Sequence, residues 1–448
     1  MDVSKFKLAL SLSMLLIAAM AVPIMGVGNA TSHPSSGMIL DFNDRDVVWT
    51  GMDTSKYSNP ISALEYVCGY NGFSLTLEGD TVIEIDGTMA NEIYEWCIWG
   101  IAFDSTSWRK IQLDSDIRDF TICAWAYCNS DDVPTVAVDA SGRSIYGYPR
   151  AERSVTLAPS LTEILGSLNA IATLVGTDSF SNYPNSVVVG KSRGSIATVG
   201  DYLNPSFELI LQASPDIIFC DGSLQTHKAM VEKLRNIDRN AVMMYGGDSI
   251  QTIRDNIFIM GVSMGYEIRA NEVLDLLDLA QSQLVEALGM TVSEVDMMYS
   301  LSADKAPFIS GSGTYIDDIS IIAYGNNVYS NKSGWVRMNP ETIMTNNPSK
   351  IIIFSTEYSA MERDYNAIMN SLSAEWRSTD AYKSGEIYII CESAGEMSQR
   401  PSPRYAQIME LTMRIIHPGA FTETDMGKFI GNDYVDYLTY TKHLSFNG

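Results

Sequence analysis

The feature that most constrains the fold is a recurrence beginning near residue 153. Seven short apolar runs, at 154–157, 173–176, 216–220, 241–245, 296–301, 351–355 and 386–391, alternate with stretches of helical periodicity. Runs that are apolar at nearly every position belong to strands covered on both faces. The pattern therefore predicts parallel sheets flanked by helices. Between the fourth and fifth runs lies 268–288 (IRANEVLDLLDLAQSQLVEAL), uninterrupted by Gly or Pro. A helix of that length inside an α/β chain is expected to bridge two lobes.

An internal echo points the same way. Residues 204–219 read NPSFELILQASPDIIF, and residues 339–354 read NPETIMTNNPSKIIIF. Each places Asn-Pro, a glutamate (Glu208, Glu341), a second proline (Pro215, Pro348) and an apolar strand in the same order. We read this as one α/β unit present on each side of the long helix, with Asn-Pro opening a short helix in both. A carboxylate at a helix start favours the dipole. Matched in two lobes, the glutamates read as two acidic knobs presented symmetrically.

A chain of 448 residues is longer than one domain usually holds. Acidic residues outnumber basic ones 54 to 30, a formal charge of −24 that opposes a nucleic-acid partner. Only four histidines occur, at 33, 227, 417 and 443, too scattered for a histidine-built metal site. Lys5 and Lys7 precede an apolar run over 8–27, so residues 1–30 read as an export signal or an uncleaved anchor. A polar linker at 31–37 follows. No later stretch approaches spanning length, and an extracytoplasmic chain, free or tethered, is expected. Four of six cysteines (Cys68, Cys97, Cys123, Cys128) fall in the first third, where one or two disulfides fit that compartment better than a metal. Cys220 and Cys391 read as buried thiols.

Residues 38–150 have a different character. Short strands at 47–50, 73–77, 81–86, 96–103 and 121–127, with one helix at 60–68, predict a small β-rich domain. Lobe one is then expected at 151–267, the bridging helix at 268–290, and lobe two with the C-terminal segment at 291–448.

Several motifs carry a family resemblance. RSVTLAPSLTEIL (153–165), SNYP (181–184), VGDYLNPSFELILQASPDIIF (199–219), APFISGSGTYIDDI (306–319), the NPETI repeat and SQRPSPR (398–404) resemble the binding proteins that feed cobalamin, haem and iron-siderophore ABC importers. The resemblance spans about residues 152–417. It implies two α/β lobes joined by one rigid helix, a ligand held between them, and docking on membrane permease subunits. Glu208 and Glu341 match the paired acidic residues that meet arginines of the permease. The closest likeness is to cobalamin-binding members, and it implies a corrinoid ligand. Pro159, Tyr183, Phe308 and Trp335 stand where that subfamily contacts the corrin. Gln399-Arg400 replaces an acidic-basic pair, with Gln399 departing from the pattern. ISALEYVC (61–68), GFSLTLEGDTVIEIDGT (72–88) and WCIWG (96–100) resemble the β domain of transcobalamin-type carriers.

The residues can also be read without the family. In open parallel sheets ligands sit beyond the carboxyl ends of strands. Here those ends lead into Pro159-Ser160, Asp221-Gly222, 308–315 and 392–404. Tyr183 and Tyr202 in lobe one, and Phe308, Tyr315 and Trp335 in lobe two, offer flat faces for a large ligand. Trp335 lies in a polar stretch, SNKSGWVRMNP, and is read as a loop residue outside the core. Arg400 joins the site, whereas Arg404 reads as a solvated or helix-capping arginine.

An enzyme is not expected. Gly311-Ser312-Gly313 lacks the spacing of a nucleophile elbow, and no phosphate-loop lysine follows it. Ser-Leu-Thr-Glu (160–163) reads as a helix N-cap with a capping-box glutamate. The expected protein is a monomer without a cofactor or metal. The alternatives to a corrinoid are haem or a ferric siderophore. A further alternative is a surface or adhesion protein that reuses the scaffold without transport.

Overall fold

The computed structural model describes residues 36–42, 47–102, 109–128, 137–145, 151–289, 292–356, 358, 365–421 and 426–444. The signal or anchor at 1–30 and nearly all of the linker lie outside the described residues. The chain divides into two compact units. One comprises residues 26–153 with 258–271, and the other comprises 154–257 with 272–448.

The smaller unit is built on a five-stranded sheet of order β2-β1-β8-β6-β7. Its strands are β1 (Gly37–Asp41), β2 (Val47–Gly51), β6 (Glu95–Ala102), β7 (Arg109–Lys110) and β8 (Phe120–Cys128). A second sheet joins β3 (Leu75–Glu78), β4 (Thr81–Ile85) and β5 (Thr88–Met89), and β9 (Ala137–Val138) pairs with β10 (Ser144–Ile145). Helix α1 (Pro60–Asn71) starts where the Asn59 side chain accepts from Ile61 N–H at 2.7 Å, and it ends at left-handed Gly72. Its apolar stripe, Leu64 and Val67, meets Met38, Leu40, Trp96, Ile98 and Trp125 in one core.

The expected disulfides are not formed. All six cysteines are buried free thiols. Strand register explains the closest approach among the first four. Cys97 lies opposite Ala126 and Cys128 opposite Glu95, so the two thiols sit diagonally instead of face to face.

The larger unit contains most of both predicted lobes, while residues 151–153 and 258–267 of the expected lobe one fall in the smaller unit. In lobe one the sheet runs β13-β12-β11-β14-β15, all parallel. These strands are β11 (Ser154–Thr156), β12 (Leu174–Thr177), β13 (Ala197–Thr198), β14 (Ile217–Asp221) and β15 (Ala241–Met244). Helices α2 (Pro159–Ser167), α3 (Asn185–Arg193), α4 (Phe207–Gln212) and α5 (Gln225–Arg235) connect them, and α6 (Ile250–Met264) follows. Every residue of β14 is buried, as a strand covered on both faces requires.

Helix α7 (Glu267–Leu288) then carries the chain onward. Its 22 residues span about 33 Å. Val273, Leu277, Ala280, Leu284 and Leu288 form a buried stripe with helical spacing. Arg254 of α6 grips Asp278 of α7, with Nη2 donating to Oδ2 at 2.7 Å.

Lobe two holds a seven-stranded sheet, β19-β17-β16-β20-β21-β22, with β18 beside β16. The strands are β16 (Val295–Ser300), β17 (Phe308–Ser310), β18 (Gly325–Asn327), β19 (Trp335–Arg337), β20 (Lys350–Phe354), β21 (Ile387–Ile390) and β22 (Phe429–Ile430). All pairings are parallel except those of β17, which runs antiparallel to β16 and β19. The helices are α8 (Tyr315–Ile322), α9 (Pro340–Asn346), α10 (Tyr365–Ser371), α11 (Ala374–Arg377), α12 (Asp380–Lys383), α13 (Glu392–Ser398) and α14 (Tyr405–Ile416). The C-terminal segment is fastened by Glu410 of α14. Its carboxylate accepts the N–H groups of Thr439, Tyr440 and Thr441 at 2.7, 3.1 and 2.8 Å.

The internal echo corresponds to α4–β14 and α9–β20, each a helix feeding an inner strand of its sheet. One detail differs. In lobe two Asn339 caps α9 and Pro340 is its first residue. In lobe one Pro205 instead bridges Gly200, and Ser206 caps α4 by accepting from Leu209 N–H at 3.3 Å. The same dipeptide serves two local structures because lobe one spends its Asn-Pro on a turn.

Candidate ligand-binding cleft

The site begins at α2, which follows β11 at the point where strand order reverses in the lobe-one sheet. Pro159 takes the first helical position, and every residue of α2 is buried, Ser160 and Glu163 included. The capping-box reading of Ser160 and Glu163 is incorrect. Ala158 occupies the cap position without a side-chain hydrogen bond, and Glu163 turns inward. A charge on a wholly buried helix needs opposite charge beside it, and lobe two supplies that charge.

Arg404 Nε donates to Glu163 Oε2 at 3.0 Å, and its Nη2 donates to Oε1 at 2.5 Å. Arg400 Nη1 donates to the same Oε1 at 3.2 Å and to Asn182 Oδ1 at 2.5 Å. Arg400 Nη2 reaches Phe180 O at 3.3 Å and Glu396 Oε2 at 3.3 Å. Asn182 Nδ2 donates to Glu396 Oε2 at 2.8 Å. The side chains of Glu163 and Arg404 are only 1% and 3% exposed, so these charges are shielded from water. Burial pushes the Glu163 carboxyl up, but Arg404 and Arg400 outweigh it and hold the pKa below the ordinary value. Arg404 is therefore not solvated, and although it occupies the cap position before Tyr405–Ile416 its side chain makes no capping hydrogen bond. It is half of an ionic tie between the lobes, and its guanidinium also lies 3.8 Å over the Tyr183 ring.

The lobe-one loop that meets this cluster is held in place from behind. Lys191 Nζ donates to the carbonyls of Asp178 and Ser181, each at 2.6 Å. A cis peptide joins Tyr183 to Pro184. On the other side, the Tyr315 hydroxyl donates to Ser398 O, anchoring α8 to the end of α13 just before Gln399 and Arg400. Gln399 is buried, with Nε2 donating to Phe354 O at 3.4 Å.

A second region of the cleft is a small cavity of about 30 Å3, open to solvent on one side. Gly247 and Asp248 of lobe one line it together with Gly313, Thr314, Tyr315, Gly334 and Trp335 of lobe two. It has room for a water or two, far less than a macrocycle needs. Trp335 is half-buried and belongs to edge strand β19, opposite Ser310, so it is not the loop residue the polar sequence implied. Three residues of ladder suffice to order it, and left-handed Gly334 supplies the turn before it. Phe308, half-buried on β17, pairs with Arg337.

Tyr202 stands elsewhere. It is buried at 1% exposure, and its hydroxyl donates to Asp221 Oδ2 at 2.6 Å. His227 Nδ1 accepts from Asp221 N–H at 3.0 Å, so Nε2 carries the proton toward Tyr202 O at 2.8 Å. Burial lowers the His227 pKa to about 4 and raises that of Asp221 to about 6. Among the described residues no group of three or more metal-ligating side chains converges.

Glu208 and Glu341 are exposed and lie in the first turns of α4 and α9, at matching positions of the two α/β units. Sequence reasoning missed Glu163, Asn182, Asp248 and Glu396. Glu163 alone gave a signal, as the one charge in the apolar stretch LAPSLTEIL.

Two α/β lobes joined by one long helix enclose this cleft. The sequence model of the periplasmic binding proteins matches residues 155–394, more than half of the chain. The chain belongs to the periplasmic binding protein family. An ABC transporter substrate-binding lipoprotein of Bacillus subtilis (strain 168), YvrC, is 22% identical over 295 residues, covering 65% of this chain and 88% of the relative. A possible iron-binding, periplasmic solute-binding protein of Staphylococcus epidermidis ATCC 12228 has the same fold. Its TM-score is 0.51 at 22% identity, covering 60% of this chain and 99% of that one. A periplasmic heme-binding protein of Pseudomonas aeruginosa superposes with a TM-score of 0.51 at 16% identity, over 62% of this chain and 95% of its own.

As a substrate-binding protein of an ABC importer, this binding protein holds a solute as cargo, carries no cofactor of its own and works with permease subunits in a membrane. Solute binding, not catalysis, is the business of the family. Among the described residues no helix is long and apolar enough to cross a membrane.

Proposed function

We propose that this protein works outside the cytoplasm, captures a corrinoid at the mouth of its cleft and presents it to an ABC permease as a monomer. The observation that carries this reading is Trp335. The indole is half-buried on an edge strand, lines the solvent-open cavity, and has lobe-one backbone at Gly247 across from it. An aromatic face with one wet edge suits a broad, partly apolar ring system. The cation cluster seals the cleft behind Tyr183, which leaves the mouth for the ligand. Pro159, Ser160, Tyr183, Phe308, Tyr315, Gln399 and Arg400 are the further residues this reading assigns to the ligand site. Tyr202, bonded to Asp221, acts through the loop it supports.

Glu208 and Glu341 are the proposed contacts with permease arginines, because each is an exposed carboxylate on the same turn of a repeated unit. The likeness of residues 61–100 to a transcobalamin-type β domain would give one chain two modules suited to the same ligand.

A second reading, haem or a ferric siderophore, draws support from the arginine pair beside Tyr183, since carboxylate ligands favour such clusters. Absorbance spectra of the purified protein with cyanocobalamin, haem and ferric siderophores separate the two readings. A corrin band shift that saturates at equimolar ligand is expected. A shift with haem alone would replace the corrinoid reading, and no shift with any of the three would mean that the solute belongs to another chemical class.

A further inference from the structure

The charges around the cleft are distributed unevenly, and the unevenness says what chemistry the mouth accepts. Both cleft arginines are engaged within the protein. Arg404 is spent on Glu163, and Arg400 is shared among Glu163, Asn182, Phe180 O and Glu396. Lys191 is turned onto two carbonyls. What remains at the solvent-open cavity is one charged group, Asp248, among three glycines, Thr314, Tyr315 and Trp335. Asp248 is exposed along one edge, and partial burial lifts its carboxyl pKa above the ordinary value. A Cβ built on Gly313 or Gly334 would meet nothing within 4 Å, so open space lies beside the indole for a ligand's periphery.

We infer that Asp248 is a specificity-determining residue that accepts hydrogen bonds from primary amides on the rim of a macrocyclic ligand and turns away macrocycles rimmed with carboxylates. This rests on the reading that the ligand sits at the Trp335 mouth. A carboxylate acceptor makes a charge-assisted bond to an amide N–H. The same group facing a ligand carboxylate meets like charge, and none of the residues that line this cavity is a cation that could neutralise the pair. A corrin bearing amides and one whose side chains are hydrolysed to carboxylates share a ring and a metal. They differ in this property.

The test uses the full exported chain and two probes, cyanocobalamin and cyanocobalamin whose peripheral primary amides have been hydrolysed to carboxylates with the nucleotide arm intact, titrated by absorbance and calorimetry. The wild type is expected to prefer cyanocobalamin by at least about 100-fold. Asp248→Asn, which keeps size and an acceptor oxygen but removes the charge, should narrow the preference to about tenfold or less. Its melting temperature should be unchanged, since the side chain is exposed. If the wild type binds cyanocobalamin tightly and the variant discriminates just as well, the role of Asp248 is wrong and the mouth site stands. If the wild type prefers the carboxylate form, the role of Asp248 falls and the corrinoid reading stands, whereas binding of neither probe overturns both.

Discussion

At the scale of single residues, Glu163 decides most about the cleft. It carries one negative charge between two buried guanidinium groups, and the three charges depend on one another. Glu163→Gln keeps the shape and removes the charge, leaving Arg404 buried without a carboxylate and Arg400 with Glu396 alone. The expected cost is about 3–5 kcal/mol of folding stability, the range for breaking a buried pair from one side. Urea unfolding of the variant measures it, and a loss below about 1 kcal/mol would mean that water reaches the arginines. The pH dependence has a definite sign. The folded pKa of Glu163 lies below its unfolded value, so its contribution is complete above the ordinary carboxylate pKa and is lost as pH falls through the folded one. Trp335 gives a contrasting expectation, because it is half-buried at an edge. Trp335→Ala should weaken cyanocobalamin binding by about 2 kcal/mol or more while the melting curve barely moves. A core tryptophan would lose about 3–5 kcal/mol of folding instead, so the pair of measurements distinguishes platform from core.

At the scale of elements, the repeated helix–strand unit matters most. Helices α4 and α9 are short, six and seven residues, and their first turns present Glu208 and Glu341 to solvent. Rim charges of this kind govern association and orientation more than affinity for a buried ligand. The double change Glu208→Lys with Glu341→Lys should therefore leave solute affinity within about twofold, yet impair uptake in cells that depend on the importer. Uptake equal to wild type would remove the two glutamates from the docking surface.

At the scale of the larger unit, three devices oppose hinging between the lobes. Helix α7 crosses from one lobe to the other without a Gly or Pro break, and Arg254 of α6 clamps it at Asp278. The cation cluster ties the lobes a second time. Asp318 of lobe two ties them a third, its Oδ2 accepting from Ile250 N–H at the start of α6 at 2.8 Å. Binding by such a frame should involve little closure, unlike proteins hinged on extended crossovers. Small-angle scattering with and without cyanocobalamin is expected to give superimposable curves. A marked change in the radius of gyration with ligand, in either direction, would show that the lobes move against these ties.

Local patterns in the chain were enough for the architecture. The seven apolar runs became strands within a residue or two, the long helix spans Glu267–Leu288, and the two Asn-Pro segments mark equivalent units. These features are legible because the strand period and the helix period act over a few residues. The exposed positions of Glu208 and Glu341 follow from the same local logic. The cleft was less legible. Glu163 looked like a capping residue and Arg404 like a surface one, because their partners lie 241 residues apart in sequence. Trp335 looked like part of a loop because a three-residue edge strand is ordered by its neighbour β17, not by its own sequence. One or two disulfides among Cys68, Cys97, Cys123 and Cys128 were expected, but all four are free thiols, and strand register sets Cys97 and Cys128 on a diagonal. Which element forms is a matter of nearby residues. Which charge is buried, which aromatic meets solvent and which thiols can meet depend on what the rest of the chain places beside them, and only the tertiary structure decides that.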